Sequence, residues 1–466
     1  MSGTLSLRIC VALLAAFCFI GLARCVAVIG LHVPLDPNEG WNAYHALHAM
    51  SGGALYPAAD SFLFNNYPPL SFYIIGPLGS ILGDNIVAGR VLSLLATLGI
   101  VSGLYLAARR IRTDAESALF ASLLLVAGLL LFTDYVGMDD PQLLGHAIAM
   151  AGLVLLLSKQ RTTSTVIVAA LLMALSFFIK HNLVALPVAL TIWLAIFDRR
   201  SAIWFAGSGL LFGFVGLAAF RVAYGVDFFS ELNSGRTYSL DTLENALGNW
   251  LVWAEVSLFG LAALIFLRRD DKYVALCAIW AGAAILVGIL FAGGAGVDMN
   301  IWFDAMIALS LATALLLDRL SMPGSMRGLI AIAYTLPLIA GIILNWDGAW
   351  LERDFWLHPL KDETAVAQAD LVFLKAQNGP VACEMLSLCY WAGKPEEIDT
   401  FNLGQAYATH RRSDDALVRL IAAKHYGAVE FDSLDDFALT PGVKQTLLKA
   451  YRVDHANDEG VFLVPR

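Results

Sequence analysis

The chain has 466 residues, of which 58% are hydrophobic and 15% are charged. Soluble domains are about half apolar and about a quarter charged, so this composition excludes an ordinary soluble protein and indicates a polytopic membrane protein. The net charge of -9 argues against a nucleic-acid partner.

The first apolar run covers residues 9–33. Its length favours a retained spanning helix over a cleaved signal peptide. Arg24 interrupts the run, and a charge within a spanning segment normally faces the bundle or an interface. Two interpretations of Arg24 stay open, a structural polar contact and a contact with a phosphate.

A long polar connection, residues 35–70, separates this run from the next. Connections of this length inside a hydrophobic chain are usually functional. Two carboxylates open it, Asp36 and Glu39. Aromatic and imidazole side chains follow at helical spacing, which places them on one face of a short helix: Trp41, Tyr44, His45 and His48. We expect a site here; the alternative is an amphipathic helix that rests on lipid.

The connection closes with Tyr67-Pro68-Pro69, and the apolar residues 71–82 that follow are too few for an ordinary span. Their length favours a re-entrant or interfacial segment. Ten longer apolar runs come next, and together with the first run they predict eleven transmembrane helices: residues 85–108, 116–133, 142–158, 164–179, 183–197, 201–222, 247–267, 273–292, 300–317 and 327–345.

Basic and acidic loops alternate along this predicted bundle. The basic loops contain Arg109, Arg110, Arg112, Lys159, Arg161, Arg199, Arg200, Arg268, Arg269, Lys272, Arg319 and Arg327. The acidic loops contain Asp36, Glu39, Asp134, Asp139, Asp140, Asp227, Glu231, Asp241 and Asp298. The positive-inside rule makes the basic set cytoplasmic, so the amino terminus lies inside and everything after Asn345 lies outside.

From residue 346 the composition becomes that of a soluble protein, which predicts a membrane domain, 1–345, and an extracytoplasmic domain, 346–466. Strand-like and helix-like segments alternate in the second part, with EEIDTF expected to be extended, and this pattern indicates a small α/β domain. We interpret it as a binding or structural lid, since no Gly-rich nucleotide motif precedes its helices. Cys383 and Cys389 could form a disulfide there if the domain is extracytoplasmic.

Further polar groups stand out at the predicted outer face. Asp139 and Asp140 precede Pro141 at a helix start, where a carboxylate site and a helix cap are both possible. A lysine at the depth of Lys180 is costly unless it is paired or contacts a phosphate. The remaining candidates for substrate contacts share this face: Trp41, Tyr44, Tyr67, Asn182, Asp298, Asn300 and Asp304.

Carboxylates and a cation on one membrane face suit transfer of a sugar from a lipid phosphate. The cation stabilises the departing phosphate, and a carboxylate takes the proton of the acceptor hydroxyl. Lys180 and Arg24 are the candidate phosphate contacts. The alternative class is a transporter or flippase of a lipid-linked substrate, which would also use buried charges. Repeated halves, typical of many transporters, are not evident in the sequence.

These motifs resemble the GT-C class of integral-membrane glycosyltransferases. The shared features are an acidic motif in a long first outer loop, a re-entrant Pro-Pro segment, an Asp-Pro in the second outer loop and a lysine after a mid-chain helix. The nearest branch contains bacterial aminoarabinose transferases and protein O-mannosyltransferases. The resemblance implies an all-α membrane bundle in a bacterial inner membrane, a polyprenyl-phosphate-linked sugar donor, and an acceptor hydroxyl on a lipid, glycan or protein.

The resemblance also implies roles for individual residues. The general base falls on Asp36, and the second-loop acidic residue falls on Asp140, with Asp139 beside it. That branch usually carries adjacent Asp-Glu, whereas this chain has Asp-Pro-Asn-Glu, so the base is either Asp36 or Glu39. A divalent metal assists some members and not others. The candidate ligands are His45, His48 and His181, although an ordinary hydrogen bond is the alternative for each.

Overall fold

A computed structural model describes residues 2–319, 324–345, 352–457 and 459–466. The larger part is a bundle of helices connected by loops at its two ends. These helices are α1 Ser2–Val28, α2 Pro37–Ser51, α3 Leu70–Leu82, α4 Asn85–Arg110, α5 Ala115–Phe132, α6 Gln142–Leu156, α7 Thr163–Ile179, α8 Ala185–Phe197, α9 Arg199–Tyr224, α10 Asp227–Leu232, α11 Leu240–Arg268, α12 Lys272–Phe291, α13 Phe303–Arg319 and α14 Gly324–Asn345.

Within the described residues, 8 helices are long and apolar enough to cross a membrane. Three further predicted spans form shorter apolar helices, namely α6, α7 and α8. The predicted short segment after the Pro-Pro pair is also a helix, α3. A mostly helical membrane bundle is therefore confirmed, and the number of eleven spans stays a prediction.

The basic loops meet one another at one end of the bundle. Arg319 donates to the Ile111 carbonyl and pairs with Asp271 at 3.0 Å, while Arg327 pairs with Asp114 at 2.6 Å. Residues from the acidic loops meet around a cavity that the C-terminal domain also lines. Basic-loop residues thus lie together at one end of the bundle, and acidic-loop residues such as Asp36 and Asp298 lie together at the cavity. Which end faces the cytoplasm stays a prediction.

Helix α2 is enclosed by protein. Asp36 has an extended backbone (φ -159°, ψ 144°) and caps the helix by accepting the Asn38 N–H at 2.8 Å. At the other end Gly52 adopts φ 73°, a left-handed conformation that ends a helix readily because glycine has no Cβ. All residues from 39 to 46 are buried. This part of α2 is therefore packed in protein, whereas Leu47 and Met50 near its C-terminal end are exposed.

The C-terminal part is the small α/β domain that the sequence predicts. Its helices are α15 Arg353–Leu357, α16 Lys361–Ala376, α17 Leu386–Trp391, α18 Thr400–Ala408, α19 Asp415–Ala422 and α20 Pro441–Ala450. Its strands are β1 Val381–Cys383, β2 Ala428–Phe431, β3 Tyr451–Asn457 and β4 Gly460–Pro465. They form one sheet in the order β1-β2-β4-β3, parallel between β1 and β2 and antiparallel elsewhere.

The C-terminal domain differs from the prediction in one segment, and the predicted boundary lies next to residues that the structure does not describe. The segment EEIDTF is wrong as a strand, because helix α18 starts at Thr400 within it and Asp399 caps that helix through the Asn402 N–H. The boundary proposed between residues 345 and 346 borders residues 346–351, which lie outside the described residues, as does Asp458. The division into two domains therefore stays a prediction at that point.

The C-terminal domain docks directly on α2. A Cβ at Gly40 would lie 2.0 Å from the Ser387 backbone nitrogen, so only glycine permits this approach of α17. The Trp41 indole N–H donates to Asp399 at 3.0 Å, and the Tyr44 hydroxyl donates to the Lys394 carbonyl at 2.8 Å. These bonds fix the orientation of α2 toward the domain.

A disulfide joins Cys383 and Cys389, the pair that the sequence singles out. It connects the end of β1 to α17, the helix in contact with α2. The covalent bond therefore lies directly behind the surface that faces the membrane bundle.

Candidate active site

A cavity of about 380 Å³ lies where α2, the acidic loops and the C-terminal domain meet. Five carboxylates and one guanidinium line it, together with aromatic and amide side chains. The lining residues are Asp36, Pro37, Asn38, Trp41, Asn66, Tyr67, Tyr135, Arg236, Gly296, Val297, Asp298, Asn300, Glu384, Leu386, Asp399, Thr400, Phe401, Asn402 and Asp432. The size and the polar groups suit a sugar-sized ligand.

Asp36 combines a fixed backbone with a raised pKa. Its Oδ1 accepts the Asn38 N–H, and the carboxylate lines the cavity. The pKa of Asp36 is raised to about 6, mainly by burial and also by the nearby charges of Asp140 and Glu39, while the hydrogen bond from Asn38 lowers it. A carboxylate with a pKa near 6 is a stronger base than an ordinary aspartate. This geometry favours Asp36 over Glu39 as the base.

Lys180 lies behind the wall of the cavity. Its ammonium donates to the Tyr67 hydroxyl at 2.8 Å and to Asp140 Oδ2 at 2.9 Å. Of the two alternatives for Lys180, the structure contains the ion pair, with a carboxylate from the second acidic loop. A contact with a phosphate stays a prediction. Asp140 also accepts the N–H of Gln142, the first residue of α6, at 2.7 Å. The same carboxylate therefore contacts both the start of α6 and Lys180. Tyr67, which accepts this hydrogen bond from Lys180, lines the cavity.

Arg236 is a cavity residue that the sequence reasoning missed. Its guanidinium donates to the Ala295 carbonyl at 3.0 Å and to the Asn402 amide oxygen at 3.4 Å, and it lies over the Phe401 ring. These partners are uncharged, so its positive charge remains available to an anion. A signal was present: Arg236 is a basic residue in one of the loops classed as acidic, against the positive-inside pattern.

Both cations act on the same neighbour. Burial first, and then the charges of Lys180 and Arg236, lower the pKa of His181 to about 4. The His181 imidazole therefore stays neutral at pH 7. Of the two cations, Arg236 lines the cavity, whereas Lys180 lies behind Tyr67 and pairs with Asp140.

The C-terminal domain supplies the opposite wall. Glu384 and Asp432 line the cavity from β1 and the end of β2, and burial followed by the charge of Asp432 raises the pKa of Glu384 to about 7. Asp399 is buried and accepts from Trp41 and Asn402. These side chains are hundreds of residues from Asp36 in sequence, and no local motif indicates that they converge. Sequence reasoning therefore could not find them.

Glu39 does not face the cavity. It is fully buried in a bidentate ion pair with Arg90 of α4, with Nη2 to Oε2 at 2.6 Å. A base must reach the acceptor proton, so this placement argues against Glu39 in that role. Asp139 is also fully buried, and burial raises its pKa well above the ordinary range. It differs from its neighbour Asp140, which pairs with Lys180.

The candidate metal ligands do not converge. Among the described residues, no group of three or more His, Cys, Asp or Glu side chains could hold a metal ion. Both ring nitrogens of His45 face backbone carbonyls, those of Trp41 and Phe64, at 2.7 and 3.1 Å. His48 lies 3.8 Å from Glu396 and is not among the residues that line the cavity. The hydrogen-bond alternative describes His45, and the residues present do not fit a metal.

Four other predicted contacts lie away from the cavity. Asn182 and Asp304 face a small internal void with His146, and Asp304 accepts the Trp280 indole N–H at 3.1 Å. Tyr44 packs into the interface with the C-terminal domain. Arg24 lines a separate pocket beside Asp134. By contrast Trp41, Tyr67, Asp298 and Asn300 line the cavity as expected.

Comparisons with known proteins identify similar folds. Residues 66–224 match the family model of the dolichyl-phosphate-mannose-protein mannosyltransferases. Among solved structures, ArnT from Cupriavidus metallidurans, in the apo state and bound to undecaprenyl phosphate, is similar with a TM-score of 0.64 at 15% identity, covering 97% of each chain. The Archaeoglobus fulgidus oligosaccharyltransferase has a TM-score of 0.50 at 12% identity, covering 96% of this chain and 72% of that one. No curated protein sequence matches the chain.

The chain has a GT-C fold. This fold is the one that the resemblance of the first-loop acidic motif, the Pro-Pro segment and Lys180 implies. The family match spans α3 to α9 and thus includes Tyr67, Asp140 and Lys180. In this GT-C chain Asp36 lies outside the matched residues, so its role depends on the geometry of the cavity.

Proposed function

We propose that this GT-C protein transfers a sugar from a polyprenyl-phosphate donor to an acceptor hydroxyl, with Asp36 as general base. The observation that carries the proposal is the cavity itself, which combines a carboxylate of raised pKa with Arg236 and, behind Tyr67, Lys180. ArnT, which has the same fold, has been solved with undecaprenyl phosphate bound. A lipid donor also explains why transfer chemistry would sit at the end of a membrane bundle.

The reaction follows from these groups. Asp36 accepts the proton of the acceptor hydroxyl as its oxygen attacks the anomeric carbon of the sugar. The bond between that carbon and the phosphate oxygen breaks, and the phosphate oxygen keeps the electron pair. Arg236 and Lys180 stabilise the charge that develops on the phosphate. The protonated Asp36 then releases its proton to water, and polyprenyl phosphate leaves.

A direct test follows the common product. The purified protein is incubated with a panel of undecaprenyl-phosphate-linked sugars and an envelope extract, and mass spectrometry records the release of undecaprenyl phosphate. We expect release with at least one sugar and only when extract is present. A protein that binds these lipids and moves them between the leaflets of vesicles, without breaking the sugar–phosphate bond, would instead be the transporter of the alternative hypothesis.

The pH dependence of transfer reports on the base. Asp36 must be deprotonated to act, and its pKa is about 6. We therefore expect kcat/KM to fall as the pH decreases through about 6, since protonation removes the base. An ordinary aspartate would give this decrease near pH 3.9. A pH–rate profile with its acidic limb near that lower value would contradict the assignment of Asp36.

The topology gives a further prediction. The alternation of basic and acidic loops places the amino terminus in the cytoplasm and the C-terminal domain outside. We expect alkaline phosphatase fused after Arg466 to be active and a fluorescent protein that folds only in the cytoplasm to be dark at the same position. The reverse pattern would place the cavity on the cytoplasmic side and contradict a donor that reacts at the outer face.

A further inference from the structure

A buried ion pair lies beneath the cavity and joins α2 to α4. Both side chains, Glu39 and Arg90, are fully buried. The guanidinium donates two parallel bonds to the carboxylate, Nε to Oε1 at 2.7 Å and Nη2 to Oε2 at 2.6 Å. Such bidentate pairs add geometric specificity to their charge. The pair therefore fixes the distance and the angle between the two helices at this point.

The remaining bonds of the pair hold the segment that leads to Asp36. Arg90 donates to the carbonyls of Leu31 and Val33, both at 2.8 Å. Glu39 Oε2 accepts the backbone N–H of Leu35 at 3.1 Å. Three backbone groups within five residues before Asp36 are thus tied to one ion pair. The direction of the Asp36 carboxylate depends on this short segment.

The same pair reaches the second acidic loop. Glu39 Oε1 accepts the backbone N–H of Asp139 at 3.1 Å, and the next residue, Asp140, pairs with Lys180. A Cβ at Gly89, beside Arg90 on α4, would lie 1.8 Å from Asp139 Oδ1, so the glycine leaves room for the loop at this position. One ion pair consequently contacts the loop that contains Asp36 and the loop that contains Asp140.

We propose that Arg90 is a positioning residue, which acts through Glu39 to aim Asp36 at the cavity and to place Asp140 against Lys180, without touching substrate. The proposal rests on the proposed function. A buried ion pair is weak evidence for stability, because desolvation of two charges often offsets their attraction. The backbone bonds to Leu31, Val33, Leu35 and Asp139 give this pair a role that stability alone does not require.

Arg90→Lys separates positioning from charge. Lysine keeps the positive charge but cannot form the planar fork, so it loses most of the bonds that hold the segment. We expect kcat for sugar transfer to fall about 10²-fold, the cost typical of a misplaced catalytic group. Arg8→Lys is the matched control, since Arg8 pairs with Glu116 at the other end of the bundle, and it should have no effect.

A second readout does not depend on transfer. Water-soluble carbodiimide modifies protonated carboxyl groups, so its pH dependence at Asp36, followed by mass spectrometry, reports the protonation of that group. We expect a midpoint near pH 6 in the unchanged protein. In Arg90→Lys the midpoint should move toward the ordinary value of about 3.9, as Asp36 becomes more hydrated while the charges of Glu39, Asp140 and residue 90 stay the same.

The outcomes separate the two proposals. If the unchanged protein transfers no sugar but the Arg90→Lys midpoint moves, the positioning role is supported and the proposed function fails. If folded Arg90→Lys keeps both kcat and midpoint, the positioning role is overturned. Should Arg90→Lys not fold, the double variant Arg90→Met/Glu39→Leu replaces the charges by an apolar pair, which proteins often tolerate. A folded double variant with unchanged kcat would equally overturn the proposal.

Discussion

Asp36→Asn should abolish sugar transfer while leaving donor binding intact. Asparagine keeps the shape of the side chain and can still cap α2 by accepting the Asn38 N–H, the bond that Asp36 makes now. It cannot accept the proton of the acceptor hydroxyl, and a positioned general base contributes typically about 10²–10⁴-fold to the rate. We expect kcat to fall by that factor and the Kd for undecaprenyl phosphate to stay unchanged.

Glu39→Gln is the matched comparison, because Glu39 belongs to the same loop and faces Arg90 rather than the cavity. It should leave measurable activity. Near-normal turnover by Asp36→Asn would contradict the assignment. The base would then be sought at Asp140, which lies close enough to Asp36 to raise its pKa.

Loss of either cation should weaken donor binding. A hydrogen bond to a charged group is worth about 1.5–3 kcal/mol, which corresponds to about a 10- to 100-fold change in affinity. We expect Lys180→Met and Arg236→Gln each to raise the Kd for undecaprenyl phosphate by such a factor, measured by calorimetry or by thermal shift in detergent. The double variant should show a larger increase than either single variant.

Lys180 needs its own control, because Asp140 neutralises it in the absence of a donor. Removal of the lysine leaves that carboxylate buried and unpaired, which can disturb the fold. Lys180→Met/Asp140→Leu removes both charges and should bind the donor as weakly as Lys180→Met. If both variants bind undecaprenyl phosphate normally, Lys180 only neutralises Asp140, and Arg236 remains as the proposed phosphate contact. Arg161→Gln, at the basic end of the bundle, should not change binding.

The sequence predicts those elements that depend on residues close to one another in the chain. Length and hydropathy of the apolar runs predict the bundle, and the 3.6-residue spacing from Trp41 to His48 predicts α2. Pro37 after Asp36 predicts the extended backbone that is found there. The Cys383–Cys389 disulfide follows from two cysteines six residues apart in a predicted outer domain.

Predictions failed where partners are distant in sequence. The sequence did not identify the partner of Lys180, because Asp140 is 40 residues away. The partner of Glu39 is 51 residues away on α4, where Arg90 is a charged residue within an apolar run, a signal that marks a buried polar contact. Glu384 and Asp432 reach the cavity only through the docking of the C-terminal domain on α2. Such convergence depends on tertiary packing, which a single sequence does not encode locally.

The central claim is that a polyprenyl phosphate places its phosphate in the cavity beside Asp36. A cryo-electron microscopy structure of the full chain with undecaprenyl phosphate measures this directly. We expect phosphate density in this cavity, in contact with Arg236 or the Tyr67–Lys180 pair and beside Asp36. Phosphate bound instead in the separate pocket at Arg24, with the cavity free of lipid, would contradict it.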